Sequence, residues 1–351
     1  MTLIRPSGWR GDRRSSPRWL FAYILLTGCH DWENVGIQRA NDLASSIVED
    51  LSLARPPADF SIGSTGPDFA RPLPVRLADV NLGGGIAVDG RYVYWADSGL
   101  GTVERADPLT LDTVTLARGG ARDVVVDGAF VYWIALGTPQ SIRKAPKNGG
   151  QTTILYAQPV NTIQGFWRSI AVDGNSVYYG EDLSAPAHLW TVALGGGKAT
   201  ALYIQDRPLS LVVDNGDLFW KTGDTASNGG VWKGSPQGTP ASTLVTMAGE
   251  ANEIQVDANY VYYTNPLGIL RVPRGGGNSM TVVWDIVEPT HLAVDAKFVY
   301  WSDSQGTIGR VLIAGGQPEF IADQQGSITG IAVDGENIYW VGRNVMMVPK
   351  R

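Results

Sequence analysis

The chain has 351 residues, with 28 lysines and arginines against 34 aspartates and glutamates, a formal charge of −6 at pH 7. No lysine or arginine cluster stands in its body, which excludes the basic footprint of a nucleic-acid binder and electrostatic adhesion to anionic lipid. Its one cysteine, Cys29, excludes an intrachain disulfide, so the fold must hold without covalent staples.

The first stretch reads as an export leader and is set aside from the fold. Arg5, Arg10, Arg13, Arg14 and Arg18 stand against the lone acid Asp12 and precede WLFAYILL at 19–26, an apolar run too short to span a bilayer as a mature helix. The run ends Leu26-Thr-Gly-Cys29, which resembles the lipobox of bacterial lipoproteins. That resemblance implies a lipoprotein signal peptide over residues 1–28, lipid attachment at Cys29, and Cys29 as the first mature residue. An ordinary secretory leader with an incidental cysteine is the alternative. Arg13-Arg14 does not make a twin-arginine signal, because Ser-Ser-Pro follows it. Cleavage removes five arginines with one aspartate and takes the formal charge from −6 to −10. The expectation is a protein exported to the cell envelope and held on the membrane by its acyl chains alone. Under the sorting rule of some Gram-negative lipoproteins, His30 after the cysteine implies the outer membrane.

Residues 29–73 lack the pattern that follows and read as the lipidated N-terminus and a tether. Ile37, Ala40, Leu43, Ala44, Ile47, Val48 and Leu51 fall at helical spacing, so a short amphipathic helix is one reading and a spacer is the other.

From residue 74 to 351 the chain is all-β and repetitive. Apolar strands end in Asp89, Asp127, Asp173, Asp214, Asp257, Asp295 and Asp334, at spacings of 38 to 46 residues. That is the period of four-stranded propeller blades. The turn is Asp-Gly in four copies, with Asn215-Gly216 in another, a hairpin signal resting on tolerance of positive φ. Each second strand carries two aromatics: Tyr94-Trp95, Tyr132-Trp133, Tyr178-Tyr179, Phe219-Trp220, Tyr262-Tyr263, Tyr300-Trp301 and Tyr339-Trp340. Successive side chains on a strand point to opposite faces, so one ring of each pair faces each adjacent blade. The glycine runs near Gly149, Gly196, Gly276 and Gly315 read as hairpin turns, because none ends in Gly-Lys-Ser/Thr or leads into a helix.

The motif Ile-Ala-Val-Asp followed by Val-Tyr-Trp and a close acid, clearest at 86–97 and 292–303, resembles the YWTD repeat of low-density-lipoprotein-receptor class B propellers. The resemblance implies a propeller and, in general terms, a protein-binding scaffold. Two departures limit it. Seven copies stand where the receptor domains have six, and only Asp97 and Asp303 keep the acid. The receptors' partners are therefore not carried over.

The last copy has room for a third strand at 344–349 and none for a fourth. The isolated strand VRLAD at 75–79 supplies it, which predicts a seven-bladed β-propeller closed by an N-terminal strand completing the last blade.

The two positions before each inner apolar triplet vary while the framework repeats, which marks Arg122, Asp123, Arg168, Asn252, Glu253 and His291 as the candidate ligand-binding residues at the channel mouth. The loops after the aromatic pairs add Asp97, Glu181, Asp182, Asp224 and Asp303. Gly85 and Gly330 predict a low, open side to the rim. Arg122 and Arg168 are expected to pair with a ligand, Glu253 to accept, and His291 to titrate near 6.5. No motif calls for a cofactor or metal: of the three histidines only His291 falls at the mouth, with Glu253 as its companion. The function expected is a monomeric, non-enzymatic binding or assembly module for a protein, peptide or glycan of the cell envelope. The alternative resembles gluconolactonase-type or streptogramin-lyase-type propeller enzymes, a hydrolase or lyase working at the same mouth. A purely structural envelope protein is a third reading.

Overall fold

A computed structural model describes residues 71–350 except 161–164, 183–186, 206, 224–228, 239 and 247–251. The leader, Cys29, most of the tether and Asp224 lie outside the described residues.

Among the described residues, twenty-eight strands form seven four-stranded antiparallel sheets. Six blades are continuous in sequence, at 83–118, 124–157, 166–205, 208–246, 254–284 and 289–322, and are numbered 1 to 6 here. Blade 7 takes three strands from 330–349 and its fourth, Val75–Asp79, from the start of the domain. Val75 pairs with Met347 and Asp79 with Asn344, and the amide of Val80 donates to Arg343 O at 2.9 Å. Neighbouring inner strands touch all the way round, and Gly83–Val88 meets Gly330–Val333 to close the ring. The expected seven-bladed closure is the one observed.

The paired aromatics build the core as the alternation requires. Tyr94 of blade 1 shares a buried cluster with Trp133 of blade 2, while Trp95 packs with Tyr339 of blade 7. The scheme repeats for Tyr132 with Tyr179, Tyr178 with Trp220, Phe219 with Tyr263, Tyr262 with Trp301 and Tyr300 with Trp340. Each of the seven interfaces therefore joins the first aromatic of one blade to the second of the next.

The repeated aspartate has a more specific task than its turn position suggests. Oδ1 of Asp89 accepts the amides of Arg91 and Tyr92 at 3.0 and 2.8 Å, and Oδ2 accepts the Tyr94 hydroxyl at 2.8 Å. The same three bonds recur at Asp127, Asp173, Asp257, Asp295 and Asp334, each to the tyrosine five residues on. This carboxylate-bridged turn needs no left-handed residue. Gly90 has φ 84°, but Gly128, Gly174 and Gly335 are not in the positive-φ region, which corrects the glycine argument made from the sequence. Blade 4 is the exception that explains the rule. There Phe219 has no hydroxyl to donate, and the turn is made by Asn215 and Gly216 at φ 50° and 78°.

Three of these aspartates also bolt blades together from below. Lys147 reaches Asp89 at 2.8 Å, Lys350 reaches Asp295 at 2.6 Å, and Arg274 pairs with Asp214. Each cation follows the third strand of the next blade. Partial burial alone would raise Asp89 and Asp295, but the lysine, amide and tyrosine hydrogen bonds outweigh it and hold both down to about 2.

Candidate functional site

Inner strands enter their blades irregularly. Pairing slips between Gly83 and Ile86, Trp167 and Ile170, Pro208 and Ser210, and Pro289 and His291. Such bulges break the in-out alternation and re-aim side chains. The residues just ahead of each apolar triplet thus line the central channel, of about 970 Å³, with all seven inner strands contributing.

All six residues expected at the mouth line this one channel. Their roles divide. Asp123 Oδ2 accepts the amide of Ile170 from blade 3 at 3.2 Å, and its Oδ1 accepts Val124 N–H at 2.9 Å. Glu253 Oε2 accepts the amide of Leu292 from blade 6 at 3.3 Å, and Oε1 accepts from Gln255. Ser210 Oγ does the same for Ile254 of blade 5 at 3.2 Å. At three of the seven junctions, an acceptor just ahead of one apolar triplet therefore caps the first amide of the next blade's triplet.

The exposed area of Asp123 and Glu253 is intermediate because water enters the channel, yet protein surrounds their carboxylates, and that surrounding governs their titration. Burial pushes Asp123 up to about 6, against the pull of the two amides and Arg122. Burial pushes Glu253 up to about 8; the bonds from Gln255 and Leu292 oppose this and the charge of Asp123 adds to it. Glu253 is thus mostly protonated at neutral pH. Burial moves His291 the other way, down to about 4. Its Nδ1 lies 3.1 Å from Thr290 Oγ1 and 3.2 Å from Ser302 Oγ. The imidazole is neutral at pH 7 and does not titrate near 6.5 as its residue type suggested.

The other expectations are met unevenly. Arg168 lines the channel but is tied to Asp182 at 2.6 Å, and Asp182 also holds Arg207 at 2.6 Å. Asn252 donates its side-chain amide to Pro289 O at 3.1 Å. Arg122 is half-buried on the wall, and among the described residues its guanidinium has no hydrogen-bond or ion-pair partner. The glycine side is not open in the sense expected. A Cβ on Gly84 would lie 2.0 Å from Arg122 O, one on Gly85 2.0 Å from Asp123 Oδ1, and one on Gly330 3.0 Å from Ile86. These glycines let blades 1 and 7 close against their neighbours. The loop acids are largely structural: Asp97 accepts the amides of Asn81, Gly99 and Leu100, Asp303 those of Gln305 and Thr307, and Glu181 the indole of Trp190. Among the described residues no three His, Cys, Asp or Glu side chains gather in a group able to hold a metal ion.

Solved structures place this architecture among known propellers. The virginiamycin B lyase of Staphylococcus aureus superposes with a TM-score of 0.66 at 13% identity, over 80% of this chain and 99% of that one. A chain of the nidogen/laminin complex gives 0.54 at 16% identity over 69% and 97%, and the computationally designed Ika8 protein 0.55 at 14% over 78% and 99%. The likeness is one of fold. No protein-family model matches the chain, and no curated protein does either, so the resemblance to YWTD repeats holds as architecture.

Sequence reasoning put Ser210 among the mouth positions without its capping role, and missed Gln255 as part of the channel wall and Arg207 as the second partner of Asp182. A bulge leaves no compositional mark, and a capping serine differs from any loop serine only once the neighbouring blade is in place.

Proposed function

We propose that the protein is a lipid-anchored, extracytoplasmic binding module whose propeller engages an envelope partner at the channel mouth. The observation that carries this reading is the convergence of the six unrepeated positions on one channel, inside a framework that repeats everywhere else. A concave site with a few convergent polar groups in an apolar wall is the ordinary form of a ligand pocket. The leader and Leu26-Thr-Gly-Cys29 supply the case for export and anchoring.

The test compares affinity capture of envelope components by the full-length protein and by the combined variant Arg122→Ala, Arg168→Ala, Glu253→Gln. Glutamine is chosen at 253 because alanine would leave the Leu292 amide without its acceptor. Capture should fall at least about ten-fold without a drop in unfolding temperature, since substitutions at half-exposed arginines usually cost little and Glu253→Gln removes a charge that is costly to bury. Equal recovery would move the site to the blade sides or the tether.

A second reading rests on the raised carboxyls. Glu253 is protonated near neutrality and faces the channel, as a general acid would be, so a hydrolase or lyase activity is the alternative. Its cost is that both Glu253 oxygens are already engaged, Oε2 by the Leu292 amide and Oε1 by the Gln255 side chain.

A further inference from the structure

The residue immediately ahead of each apolar triplet occupies the same register in every blade, because the first triplet residue always pairs with the second aromatic: Ile170 with Tyr179, Leu211 with Trp220, Ile254 with Tyr263, Leu292 with Trp301. One level of the channel is therefore set by one residue from each blade. Asp123, Ser169, Ser210, Glu253 and His291 supply it on blades 2 to 6, and glycines supply it on blades 1 and 7. Three of the five side chains already have a structural task. Asp123, Ser210 and Glu253 each accept an amide of the next blade.

Ser169 stands at the same position and makes no such bond. It is 8% exposed, and among the described residues its Oγ has no hydrogen-bond partner. Of the buried side-chain atoms in that condition, it alone belongs to the channel wall. A buried hydroxyl left unmet is costly to keep, and a ligand that meets it recovers the cost.

The chemistry around Ser169 is polar without being ionic. On blades 3 to 6 this level has no formal charge at pH 7, since Glu253 holds its proton and the His291 imidazole is neutral. Donors and acceptors are mixed. Ser169 offers both, Ser210 keeps a proton beyond the amide it accepts, and the Glu253 carboxyl donates in its acid form. Gln255, on the same wall, gives its amide to Glu253 and retains its carbonyl oxygen as an acceptor. An anion would meet only the donors and a cation only the acceptors, whereas a ligand hydroxyl serves either kind. The layout also bears on shape. An extended peptide pairs its main chain along a sheet edge, but here single side chains from successive blades surround one lumen, which suits a compact head.

We infer that this level of the channel binds the uncharged, hydroxylated ring of a saccharide, with the Ser169 hydroxyl as one of its contacts. The inference rests on the mouth being the binding site, and it names the ligand class.

The experiment applies the purified full-length protein to an array of immobilised oligosaccharides and, in parallel, to an array of short peptides, and measures the strongest ligand by calorimetric titration. At least one oligosaccharide should bind, and no peptide should bind as tightly. Ser169→Ala should weaken that oligosaccharide by at least about three-fold, the loss of one neutral hydrogen bond. The same variant should unfold at the wild-type temperature or above it, because no protein group loses a partner. No oligosaccharide bound, peptides bound in their place, saccharide binding that Ser169→Ala leaves intact, or a fall of more than about 2 °C in its unfolding temperature overturns the inference. If no oligosaccharide binds while envelope capture still falls in the combined Arg122, Arg168, Glu253 variant, the mouth reading stands and the saccharide alone is lost.

Discussion

Deleting residues 71–80 should lower the unfolding temperature by on the order of 10 °C or more, and a synthetic peptide of that segment should restore part of the loss. The strand Val75–Asp79 is the outer edge of blade 7 and the clasp of the ring. It brings Leu77 and Val80, 6% and 7% exposed, into a cluster with Trp95, Tyr339 and Val345. Truncating one buried leucine typically costs about 2–5 kcal/mol. Each 1 kcal/mol moves the midpoint of a domain this size by roughly 2–4 °C. The deletion also leaves Asn344–Pro349 as an unpaired edge with Met346 and Met347 upon it, a template for association. The added peptide re-forms the sheet by strand addition. An unchanged midpoint would mean that the ring does not depend on its N-terminal clasp.

The second large effect lies at Glu253. Its folded pKa of about 8 stands far above the ordinary glutamate value of about 4.3, so the folded protein holds this proton more tightly than the unfolded chain does. The resulting stabilisation is complete below about pH 4 and is lost as pH rises through about 8. Asp123, held near 6, contributes in the same direction over a shorter window, while His291, held near 4, opposes it by costing stability as pH falls from about 6.5. Comparing wild type with Glu253→Gln isolates the one group. Glutamine keeps an acceptor for the Leu292 amide and has no charge to bury. In urea unfolding the variant should match the wild type within about 1 kcal/mol at pH 5 and exceed it by on the order of a few kcal/mol at pH 9. A difference that does not grow between those values would show that the channel solvates the Glu253 carboxylate as bulk water does.

Much of this molecule is legible in its sequence because a propeller repeats one small decision seven times. The Val-Asp ending, the turn and the aromatic pair sit on local elements with a two-residue period, and each pair's division between neighbouring blades follows from alternation alone. The lone strand at 75–79 is readable for the same reason: six complete copies show what the seventh lacks. What escaped depends on contacts between blades. The bond from Asp89 to Tyr94 could be sought from a spacing of five, and Phe219 beside the Asn-Gly turn confirms the logic, yet nothing local says that the hydroxyl points back. The mouth positions are visible as departures from the repeat. Their charge states are not, because burial moves Glu253 and His291 in opposite directions and leaves both neutral. Gly85 and Gly330 mislead most, since absence of a side chain looks like open space until Asp123 and Ile86 are seen filling it.

The central claim is that a partner engages the mouth and not the opposite face. Antiparallel strands put Leu136 at the channel mouth and Ala129, in the turn after Asp127, at the other end of the same hairpin. A photo-reactive side chain placed at each position in turn, in the full-length protein within the cells that make it, tests this most directly. A cross-linked partner should form from position 136 and not from position 129, and should diminish in the Arg122, Arg168, Glu253 variant. Cross-linking from position 129 alone, or equally from both, would contradict the account.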